Sequence, residues 1–377
     1  MLKVLFCSPY STAPNVVKGG INTWGRYILS YSERLSDKEV MLKPISFDRF
    51  TSISSSKSLV TRLISGIKEY YHPVSDVISE IRSVDRPDVM HICTSAGYGL
   101  YRDLLLLRVA RKHKVKTIIH LHFGRIPDLL KENNWEWRLL KKVISLCDTV
   151  VVMNRPSEDA LLQSGFTNVK YLPNPLGQDV SDSISTLNCN LKRFPRRLLY
   201  AGHVIRTKGV YELVEACTQI PDVNLRIVGK CFSDVQKELE KIAADRDNGH
   251  WLDIVGEVSH DEVILEMMQA DMFVFPSYTE GFPNVILEAM ACGCPILSSN
   301  VGAIPDMLNV NDTPCGICFN PRSVSEIVDG INLLIDNVDL KQELSSKAQN
   351  RVNSLYTTPV VWKELVKIWY EEALDTH

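Results

Sequence analysis

The fold is decided by one stretch, which reads Pro276-Ser-Tyr-Thr-Glu280-Gly-Phe-Pro-Asn-Val-Ile-Leu-Glu288-Ala-Met-Ala-Cys-Gly293. The apolar run 271–275 leads into it and predicts a buried strand, and the residues from about 283 to 291 have the spacing of a helix that Gly293 and Pro295 end. In a doubly wound α/β fold, ligands bind where a parallel strand ends and a helix begins. Glu280 is then expected in the loop and Glu288 about two turns along the helix, so the two carboxylates contact different parts of one ligand.

The same alternation of strand and helix patterns runs through both halves of the chain. It predicts strands at 3–8, 40–47, 88–93, 116–122, 148–154, 169–173, 197–204, 224–228, 252–255, 272–275, 295–298 and 316–319. Such alternation is typical of an α/β fold with parallel sheets. Residues 59–82 predict a helix that breaks near Pro73.

The pattern lapses between the two halves, at 176–195, where Gly, Asp, Ser and Asn dominate and predict an interdomain linker. The length of 377 residues also favours two domains. We therefore expect two facing Rossmann-like domains, 1–177 and 178–356, with a cleft between them. A last helix within 357–377 carries an apolar stripe and is expected to cross back to the first domain.

Composition narrows the function classes. The net charge of −3 does not favour a nucleic-acid partner, and the hydrophobic content of 45% allows a sizeable core. Ten cysteines are scattered through strand-like segments, as in a protein of the reducing cytoplasm rather than a disulfide scaffold. The first residues are too short an apolar run for a signal peptide, and no run predicts a membrane span. We expect a cytoplasmic protein whose contact with the inner face of the cell membrane is peripheral.

A second candidate ligand segment lies at 199–209, where a strand ends at Gly202. Arg206 and Lys208 follow just before a helix that begins near Val210. Cations beside helix N–H groups bind a diphosphate, and the alternative is a solvated loop with two surface cations. The two glutamates further along favour the ligand site. Gly19-Gly20, before the first helix pattern, is a weaker signal because an ordinary tight turn also explains it.

Together these residues resemble glycosyltransferase family 4, a large family of retaining enzymes with the GT-B fold. The motifs that carry the resemblance occur in order: Gly202, Arg206-x-Lys208-Gly209, Val255-Gly256, Ala270-Asp271, Pro276-Ser277, Glu280-Gly-Phe-Pro, Glu288-Ala-Met-Ala, Gly293-x-Pro295 and Val301-Gly-Ala-Ile-Pro305-Asp306. They cover most of the second domain. The first domain is similar more weakly, through Gly19-Gly20, His91, His120-Leu-His122 and Pro173-Asn174-Pro175. The resemblance implies an N-terminal acceptor-binding domain and a C-terminal domain that binds a nucleotide-sugar donor.

The resemblance also implies roles for the matching positions. Glu280 lies near the donor sugar, Glu288 accepts hydrogen bonds from the ribose hydroxyls, and Lys208 is the phosphate lysine. The family often places an arginine directly after the glycine, where this chain has His203, and we expect Arg206 to supply the charge. The other donor-binding positions are Gly19, Gly20, Gly281, Phe282, Pro283, Asn284 and Val285, of which Pro283 has no N–H and contributes shape only.

Three residues are expected to act in catalysis: Glu280, Lys208 and His122. The resemblance places His122 beside the donor sugar, although a lone strand histidine is more often structural. His120 and His122 lie on one strand face, but a zinc site would need further ligands and none is evident, so we expect no metal and no other cofactor. His91 is expected to be structural.

Other patterns are interpreted as decoys. Asp245-Arg-Asp247 looks like a metal motif but lies in a polar loop rather than after an apolar strand. Four cysteines have paired spacing and are interpreted as small buried residues, namely Cys292, Cys294, Cys315 and Cys318.

The segment 57–142 is basic, with 16 Lys plus Arg against 9 Asp plus Glu. Such an excess favours an anionic membrane surface or a diphosphate-lipid acceptor. Two local patches are candidates, residues 102–116 around Leu104–Leu107 and residues 135–142 with Trp135 and Trp137. For either patch alone, a half-buried helix with a solvated basic face is the simpler explanation.

We expect a retaining hexosyltransferase of the EC 2.4 class that moves a sugar from a UDP-linked donor to a lipid-linked or oligosaccharide acceptor in bacterial-type surface polysaccharide synthesis. One alternative is a nucleotide-sugar epimerase of the same fold, which the pattern of Glu280, Glu288 and Lys208 disfavours. Another is a non-catalytic nucleotide-sugar-binding protein. An NAD-dependent dehydrogenase is disfavoured because no Gly-x-Gly-x-x-Gly loop follows the first strand.

Overall fold

The computed structural model describes residues 1–10, 19–36, 39–47, 59–187 and 191–374, with 59–70 described as backbone only. The chain forms two compact units. The N-terminal unit is Met1–Asn174 together with Thr358–His377, and the C-terminal unit is Pro175–Thr357. Each unit is built on one six-stranded sheet whose strand pairs are all parallel. Because helices cover both faces of such a sheet, its central strands are almost fully buried and rich in apolar residues.

The sheet of the N-terminal unit has the strand order β2-β1-β3-β4-β5-β6. Its strands are β1 (Leu2–Ser8), β2 (Val40–Ser46), β3 (Val89–Thr94), β4 (Lys116–Leu121), β5 (Thr149–Val152) and β6 (Val169–Tyr171). The connecting helices are α1 (Gly20–Arg34), α2 (Leu59–Arg82), α3 (Gly99–Lys112), α4 (Ile126–Glu132), α5 (Trp135–Ile144) and α6 (Arg155–Gln163). Strands β1, β3, β4 and β5 form the middle of the sheet, and every residue of β3 is buried.

The sheet of the C-terminal unit has the order β14-β11-β10-β7-β8-β9. Its strands are β7 (Arg197–Ala201), β8 (Asn224–Val228), β9 (Leu252–Gly256), β10 (Met272–Phe275), β11 (Ile296–Ser299) and β14 (Ile317–Phe319), and a separate antiparallel pair is formed by β12 (Asn309–Val310) and β13 (Thr313–Pro314). The helices are α7 (Gln178–Leu187), α8 (Val210–Thr218), α9 (Ser233–Ala243), α10 (His260–Gln269), α11 (Asn284–Ala291), α12 (Ile304–Leu308), α13 (Val324–Asp336) and α14 (Val338–Leu355).

The last helix, α15 (Thr358–Leu374), belongs to the N-terminal unit, as the apolar stripe of the sequence predicts. Its buried side chains, Val361, Leu365, Ile368 and Trp369, join the core that contains Phe6 and Trp24. The final segment of the chain therefore completes the core of the unit with which the chain begins.

The predicted linker at 176–195 is wrong over much of its length, because α7 occupies Gln178–Leu187 and packs on α10 and α11. Val180 is buried there, and Ile184 follows at helical spacing within a largely polar composition. Arg193, in the same stretch, donates to the carbonyls of Met267, Ala270, Cys292 and Gly293. One guanidinium thus satisfies carbonyls at the C-terminal ends of α10 and α11 together.

The predicted break at Pro73 is also wrong, because α2 is continuous over its 24 residues with Pro73 inside it. Proline removes one backbone hydrogen bond and crowds the carbonyl four residues earlier. Beyond Pro73 the helix buries Val74, Val77 and Ile81 in the core. That burial holds the last turns in place despite the missing bond.

Within the described residues, no helix has both the length and the apolar composition that crossing a bilayer requires.

The position of α15 predicts that substitutions of two of its leucines have very different effects on the free energy of unfolding. Leu365 is fully buried, whereas Leu374 is 72% exposed. We expect Leu365→Ala to lower the free energy of unfolding of the N-terminal unit by about 2–5 kcal/mol through lost burial and the cavity left behind. Leu374→Ala should change it by less than about 0.5 kcal/mol. Urea unfolding followed by tryptophan fluorescence measures both, and equal effects would show that α15 does not complete this core.

Candidate functional site

In the C-terminal unit, two of the residues expected to act in catalysis form an ion pair. The ammonium nitrogen of Lys208 lies 2.5 Å from Oε1 of Glu280. Lys208 ends a single turn of 3₁₀ helix, Arg206–Lys208, that follows β7, and Glu280 lies in the loop that follows β10. Strands β7 and β10 are neighbours in the sheet, so their carboxyl ends bring the two charges together. Both side chains are partly exposed, so the pair is open to a ligand.

Two glycines allow the site loops to pack closely. A Cβ on Gly209, where φ is 68°, would lie 2.0 Å from the carbonyl oxygen of Pro276. A Cβ on Gly302, where φ is 58°, would lie 2.1 Å from the carbonyl oxygen of Glu280. Only glycine fits such positions, because other residues would meet both a clash and an unfavourable φ. These contacts fix the loop that carries Glu280 from two sides.

The segment 281–285 leads from that loop into α11. Phe282 and Pro283 are buried, and the Phe282 ring meets the Tyr356 ring edge-on with centroids 5.8 Å apart. Gly281 accepts a hydrogen bond from the N–H of Ala303 at 3.1 Å. Helix α11 begins at Asn284, and within the described chain no side chain caps it at Pro283. The positive end of the α11 dipole therefore lies at Asn284, shortly after Glu280 in the sequence. This helix start is suited to binding an anion.

Glu288 lies in α11 and pairs with a histidine that the sequence analysis did not single out. Nε2 of His260, the first residue of α10, lies 3.3 Å from Oε1 of Glu288. The hydrogen bond to Glu288 raises the pKa of His260, and the nearby charges of Glu288, Asp179 and Asp261 act in the same direction against partial burial. The carboxylate expected to bind ribose hydroxyls is therefore oriented by a partner of its own.

Arg206 and His203 differ in what they contact. The Arg206 guanidinium lies over the ring of Tyr211, 4.5 Å from its centroid, and the side chain is otherwise exposed. His203 is exposed, and its carbonyl accepts a hydrogen bond from the hydroxyl of Tyr200. Arg206 is thus held by an aromatic face one turn from Lys208, while His203 contributes a backbone group.

In the N-terminal unit, Gly19 and Gly20 stand at the start of α1. Gly19 has φ of 92°, and no described atom lies within 4 Å of a Cβ added to either glycine. The backbone at this helix start is therefore not crowded by the described residues, which leaves its N–H groups approachable.

The N-terminal unit also contains a cluster of three histidines, of which His91 and His120 are buried and His122 is half-buried. The rings of His120 and His122 lie 3.9 Å apart, as the His-x-His spacing predicts, and His91 meets His120 at 5.5 Å. Trp24 contacts both His120 and His122, at 4.7 and 4.8 Å. Burial lowers the pKa of His91 and of His122 to about 3 and that of His120 well below its usual range, so all three rings are neutral near pH 7.

Several ring nitrogens of this histidine cluster lack a hydrogen-bond partner among the described residues. Among the described residues, both ring nitrogens of His120 and of His122 and Nε2 of His91 have no hydrogen-bond partner and are shielded from solvent. Buried polar groups of this kind are rare unless a ligand or an ordered water completes them.

The structure corrects one expectation about metal ligands, because His91 and Cys93 do lie near His120. One ligand atom from each of the three residues lies within 4.8 Å of the others. However, Nε1 of Trp369 donates to Nδ1 of His91 at 3.1 Å. An indole nitrogen only donates, so the ring proton of His91 must be on Nε2, and a protonated nitrogen cannot coordinate a metal. Only two ligands remain in that group, fewer than a zinc site needs.

The decoys of the sequence have structural explanations. The guanidinium of Arg246 donates to the carbonyls of Cys217, Ile220 and Val223, so the Asp245-Arg-Asp247 segment is tied to the backbone of the unit. Cys292, Cys294 and Cys315 are buried free thiols as expected, whereas Cys318 is exposed.

Each of the two basic patches exposes less apolar surface than its sequence suggests, because part of it is buried. Leu106 and Leu107 of α3 and Trp137 of α5 are buried in the core. Leu105 and Trp135 remain exposed. A groove of about 590 Å³ lies between the two helices, lined by Leu104, Arg108, Arg138, Lys141, Lys142, Ser145 and Leu146.

The chain is similar in sequence to known glycosyltransferases. Residues 190–351 match the family described as Glycosyl transferases group 1. An uncharacterised glycosyltransferase of Haemophilus influenzae is 27% identical over 298 residues, which are 77% of this chain and 78% of that protein. The putative teichuronic acid biosynthesis glycosyltransferase TuaC of Bacillus subtilis is 23% identical over 255 residues, 65% of this chain and 60% of that protein.

The fold has a counterpart among solved structures. The crystal structure of Anabaena HepE in complex with UDP has a TM-score of 0.70 and 17% identity, and the match covers 98% of this chain and 100% of that one. This likeness confirms the predicted two-sheet α/β architecture.

The pairing of His260 with Glu288 predicts that the pKa of His260 depends on the Glu288 carboxylate. In wild type, the pKa of His260 should lie above its ordinary value of about 6.5. Glu288→Gln should return it towards about 6.5, measured by NMR of the imidazole protons. Glu238→Gln removes a carboxylate that binds Tyr211 in the same unit and should leave the titration unchanged.

The same pair sets the direction of a pH effect on stability. A histidine with a raised pKa in the folded state stabilises it fully below the unfolded pKa of about 6.5, and this contribution is lost as the pH rises through the folded-state pKa. The difference in unfolding free energy between wild type and Glu288→Gln should therefore shrink as the pH rises. An identical His260 titration in both proteins would contradict the pairing.

Proposed function

We propose that this glycosyltransferase is a retaining enzyme of family 4 that transfers a hexose from a nucleotide sugar to a lipid-linked or oligosaccharide acceptor. The match of residues 190–351 to Glycosyl transferases group 1 supports this proposal. The observation that carries the proposal is the ion pair of Lys208 and Glu280 at the carboxyl ends of β7 and β10, with Glu288 in the helix that follows. A fixed cation, an adjacent helix start and two carboxylates match the needs of a diphosphate, a sugar and a ribose.

In this proposal, the ammonium of Lys208 and the start of α11 bind the diphosphate and stabilise it as it leaves. The guanidinium of Arg206, which lies over the ring of Tyr211, adds a second cation for the diphosphate. When the diphosphate binds Lys208, its oxygens compete with Glu280 for the ammonium, and the released carboxylate accepts hydrogen bonds from the sugar hydroxyls. Glu288, oriented by His260, accepts hydrogen bonds from the ribose. Segment 281–285 supplies backbone groups and shape around the donor.

The N-terminal unit has a smaller part in the proposal. Gly19 and Gly20 contribute an open helix start for the phosphates, and His122 contributes a neutral imidazole beside the transferred sugar. Both ring nitrogens of His122 are unpartnered among the described residues, which supports a role that a bound substrate completes.

We further propose that transfer proceeds on the same face of the sugar and needs no metal. The leaving phosphate helps to deprotonate the acceptor hydroxyl, while the cation and the N–H dipoles stabilise the developing charge. Glu280 is not proposed as a nucleophile, because same-face transfer needs no pair of carboxylates at the spacing that retaining glycosidases use. The missing ligand in the His91, Cys93 and His120 group supports chemistry without a metal at that cluster.

UDP is the nucleotide we propose, since the structural neighbour HepE was crystallised with UDP. The likeness to TuaC, a putative teichuronic acid biosynthesis glycosyltransferase, supports a place in bacterial-type surface polysaccharide synthesis. The acceptor is then a growing glycan, free or linked to a lipid.

A lipid-linked acceptor requires access to a membrane, and we propose that α3 and α5 supply peripheral contact with an anionic bilayer at the inner face of the cell membrane. Their surface combines exposed Tyr98, Tyr101, Leu105 and Trp135 with the cations that line the groove. Aromatic rings and aliphatic groups bordered by Lys and Arg suit the bilayer interface, where the rings sit among the headgroups and the cations bind lipid phosphates.

The donor-site proposal is tested by transfer and binding with a panel of UDP, GDP and ADP sugars. We expect turnover with a UDP-hexose, and Glu280→Gln should lower kcat by about 10²- to 10³-fold by removing a group that acts on the reacting sugar. Glu288→Gln should instead weaken UDP binding about 10-fold or more in calorimetry, as the loss of a hydrogen bond to a charged group does.

The matched control is Glu343→Gln, which removes an exposed carboxylate paired with Lys347 on α14 and should change neither quantity. Equal turnover of wild type and Glu280→Gln would contradict the assigned role of Glu280. Nucleotide-sugar binding by wild type without any turnover would favour a non-catalytic binding protein.

The membrane proposal is tested by sedimentation with vesicles of phosphatidylglycerol and of phosphatidylcholine. Binding should be confined to the anionic vesicles and should fall in 0.5 M salt. Reversal of two cations, Arg138→Glu with Lys142→Glu, should weaken it at least about 10-fold. Lys237→Glu with Lys241→Glu on α9 is the control of equal charge change. Equal loss in both double variants would show that net charge alone, and not this surface, drives binding.

A further inference from the structure

One hydrogen bond connects the C-terminal helix to the histidine cluster. Nε1 of Trp369 in α15 donates to Nδ1 of His91 in β3 at 3.1 Å, and both side chains are fully buried. Because an indole N–H cannot accept, the bond requires a lone pair on Nδ1 and places the single proton of the neutral His91 ring on Nε2. Trp369 therefore selects one of the two neutral tautomers of His91.

From His91 the contacts continue without a gap to His122. The His91 ring meets the His120 ring at 76° with centroids 5.5 Å apart, and His120 lies against His122 at 3.9 Å. Trp24 packs against the rings of both His120 and His122. In a core of this density a ring cannot rotate without displacing its neighbours. The orientation of each histidine is thus tied to that of the next.

The tautomer of His91 also affects its neighbours electrostatically. The other ring nitrogens of the cluster have no partner among the described residues that would fix their protons. In a buried site, a nearby N–H dipole favours a facing lone pair or ring face over a second N–H. A fixed proton on Nε2 of His91 therefore biases the tautomer of His120, and His120 in turn biases His122.

We propose that Trp369 is a positioning residue for His122, and that its indole N–H sets the orientation and tautomer of His122 through His91 and His120. The proposal rests on the role of His122 in the proposed transfer. It concerns the hydrogen bond and not the bulk of the ring, because the surrounding core is apolar and phenylalanine would preserve most of the packing.

The test compares Trp369→Phe with Trp362→Phe. Trp362 lies on the same helix and contacts Trp369 and Tyr31 edge-on, and the structure shows no hydrogen bond between it and His91. Both substitutions remove one indole N–H and a similar volume, and thermal unfolding measures the packing cost of each, because Trp369 is fully buried and Trp362 half-buried.

Two readouts are used. In protein labelled with ¹⁵N-histidine and without substrate, wild type and Trp362→Phe should show His91 protonated on Nε2 alone, and Trp369→Phe should show a mixture of tautomers at His91 and changed ring shifts at His122. In transfer assays with the UDP-hexose that supports turnover, Trp369→Phe should lower kcat about 10-fold, the scale expected for a displaced site group, with the donor KM within about 2-fold of wild type. Trp362→Phe should retain both values.

The outcomes separate this proposal from the proposed function. Unchanged His122 shifts in Trp369→Phe, or equal losses of kcat in both variants, would overturn the positioning role. A changed tautomer with full turnover would also overturn it, since His122 would then not depend on the bond. If wild type transfers no sugar from any donor, the proposed function fails, while the NMR comparison still decides whether Trp369 sets the state of His122.

Discussion

Parallel strand pairing is the constraint on which the rest of this structure depends. Parallel neighbours cannot be joined by a tight turn, so each connection crosses the sheet through a helix and the carboxyl ends of all strands share one edge. Groups distant in sequence then meet at that edge. Lys208 follows β7 and Glu280 follows β10, 72 residues later, and they pair because the two strands are neighbours. In the other unit, the same rule places His122 beside the end of β3, where its N–H donates to the carbonyl of Thr94.

Three arginines of the C-terminal unit bind backbone carbonyls, mostly in segments that join a helix to the strand after it. Arg193 binds four carbonyls at the ends of α10 and α11, Arg246 binds three near the start of β8, and Arg351 binds the carbonyls of Met307 and Thr313. A planar guanidinium with five donors is suited to this task because it satisfies several buried acceptors at once. The site cations Lys208 and Arg206 remain more exposed, so their charge is available to a ligand.

Much of this architecture could be predicted from the sequence because its signals are local. Apolar runs that alternate with helix patterns predict the strands, and the order of motifs in the C-terminal unit predicts that Lys208 and Glu280 belong to one donor site. The helix at 178–187 gives little signal in the sequence, because its composition is polar and its apolar positions are few. The run Leu104–Leu107 suggests a larger surface patch than exists, because four consecutive leucines on a helix point in different directions and Leu106 and Leu107 face the core.

Contacts over long sequence separations could not be predicted in the same way. His260 and Glu288 lie on different helices, and nothing in either segment signals that the two side chains meet. Trp369 and His91 are 278 residues apart, and the sequence presents Trp369 only as part of an apolar stripe. In both cases packing decides the partner, and the chemistry of the site depends on that partner.

The docking of α15 has a consequence for how the protein is made. Most of the N-terminal unit is synthesised first, but its core includes Val361, Leu365 and Trp369, which follow the whole C-terminal unit in the sequence. The C-terminal unit, by contrast, is complete in sequence before α15 is translated. One face of the N-terminal sheet therefore lacks the cover of α15 until residues 358–374 have been translated, and a chaperone would act on that face.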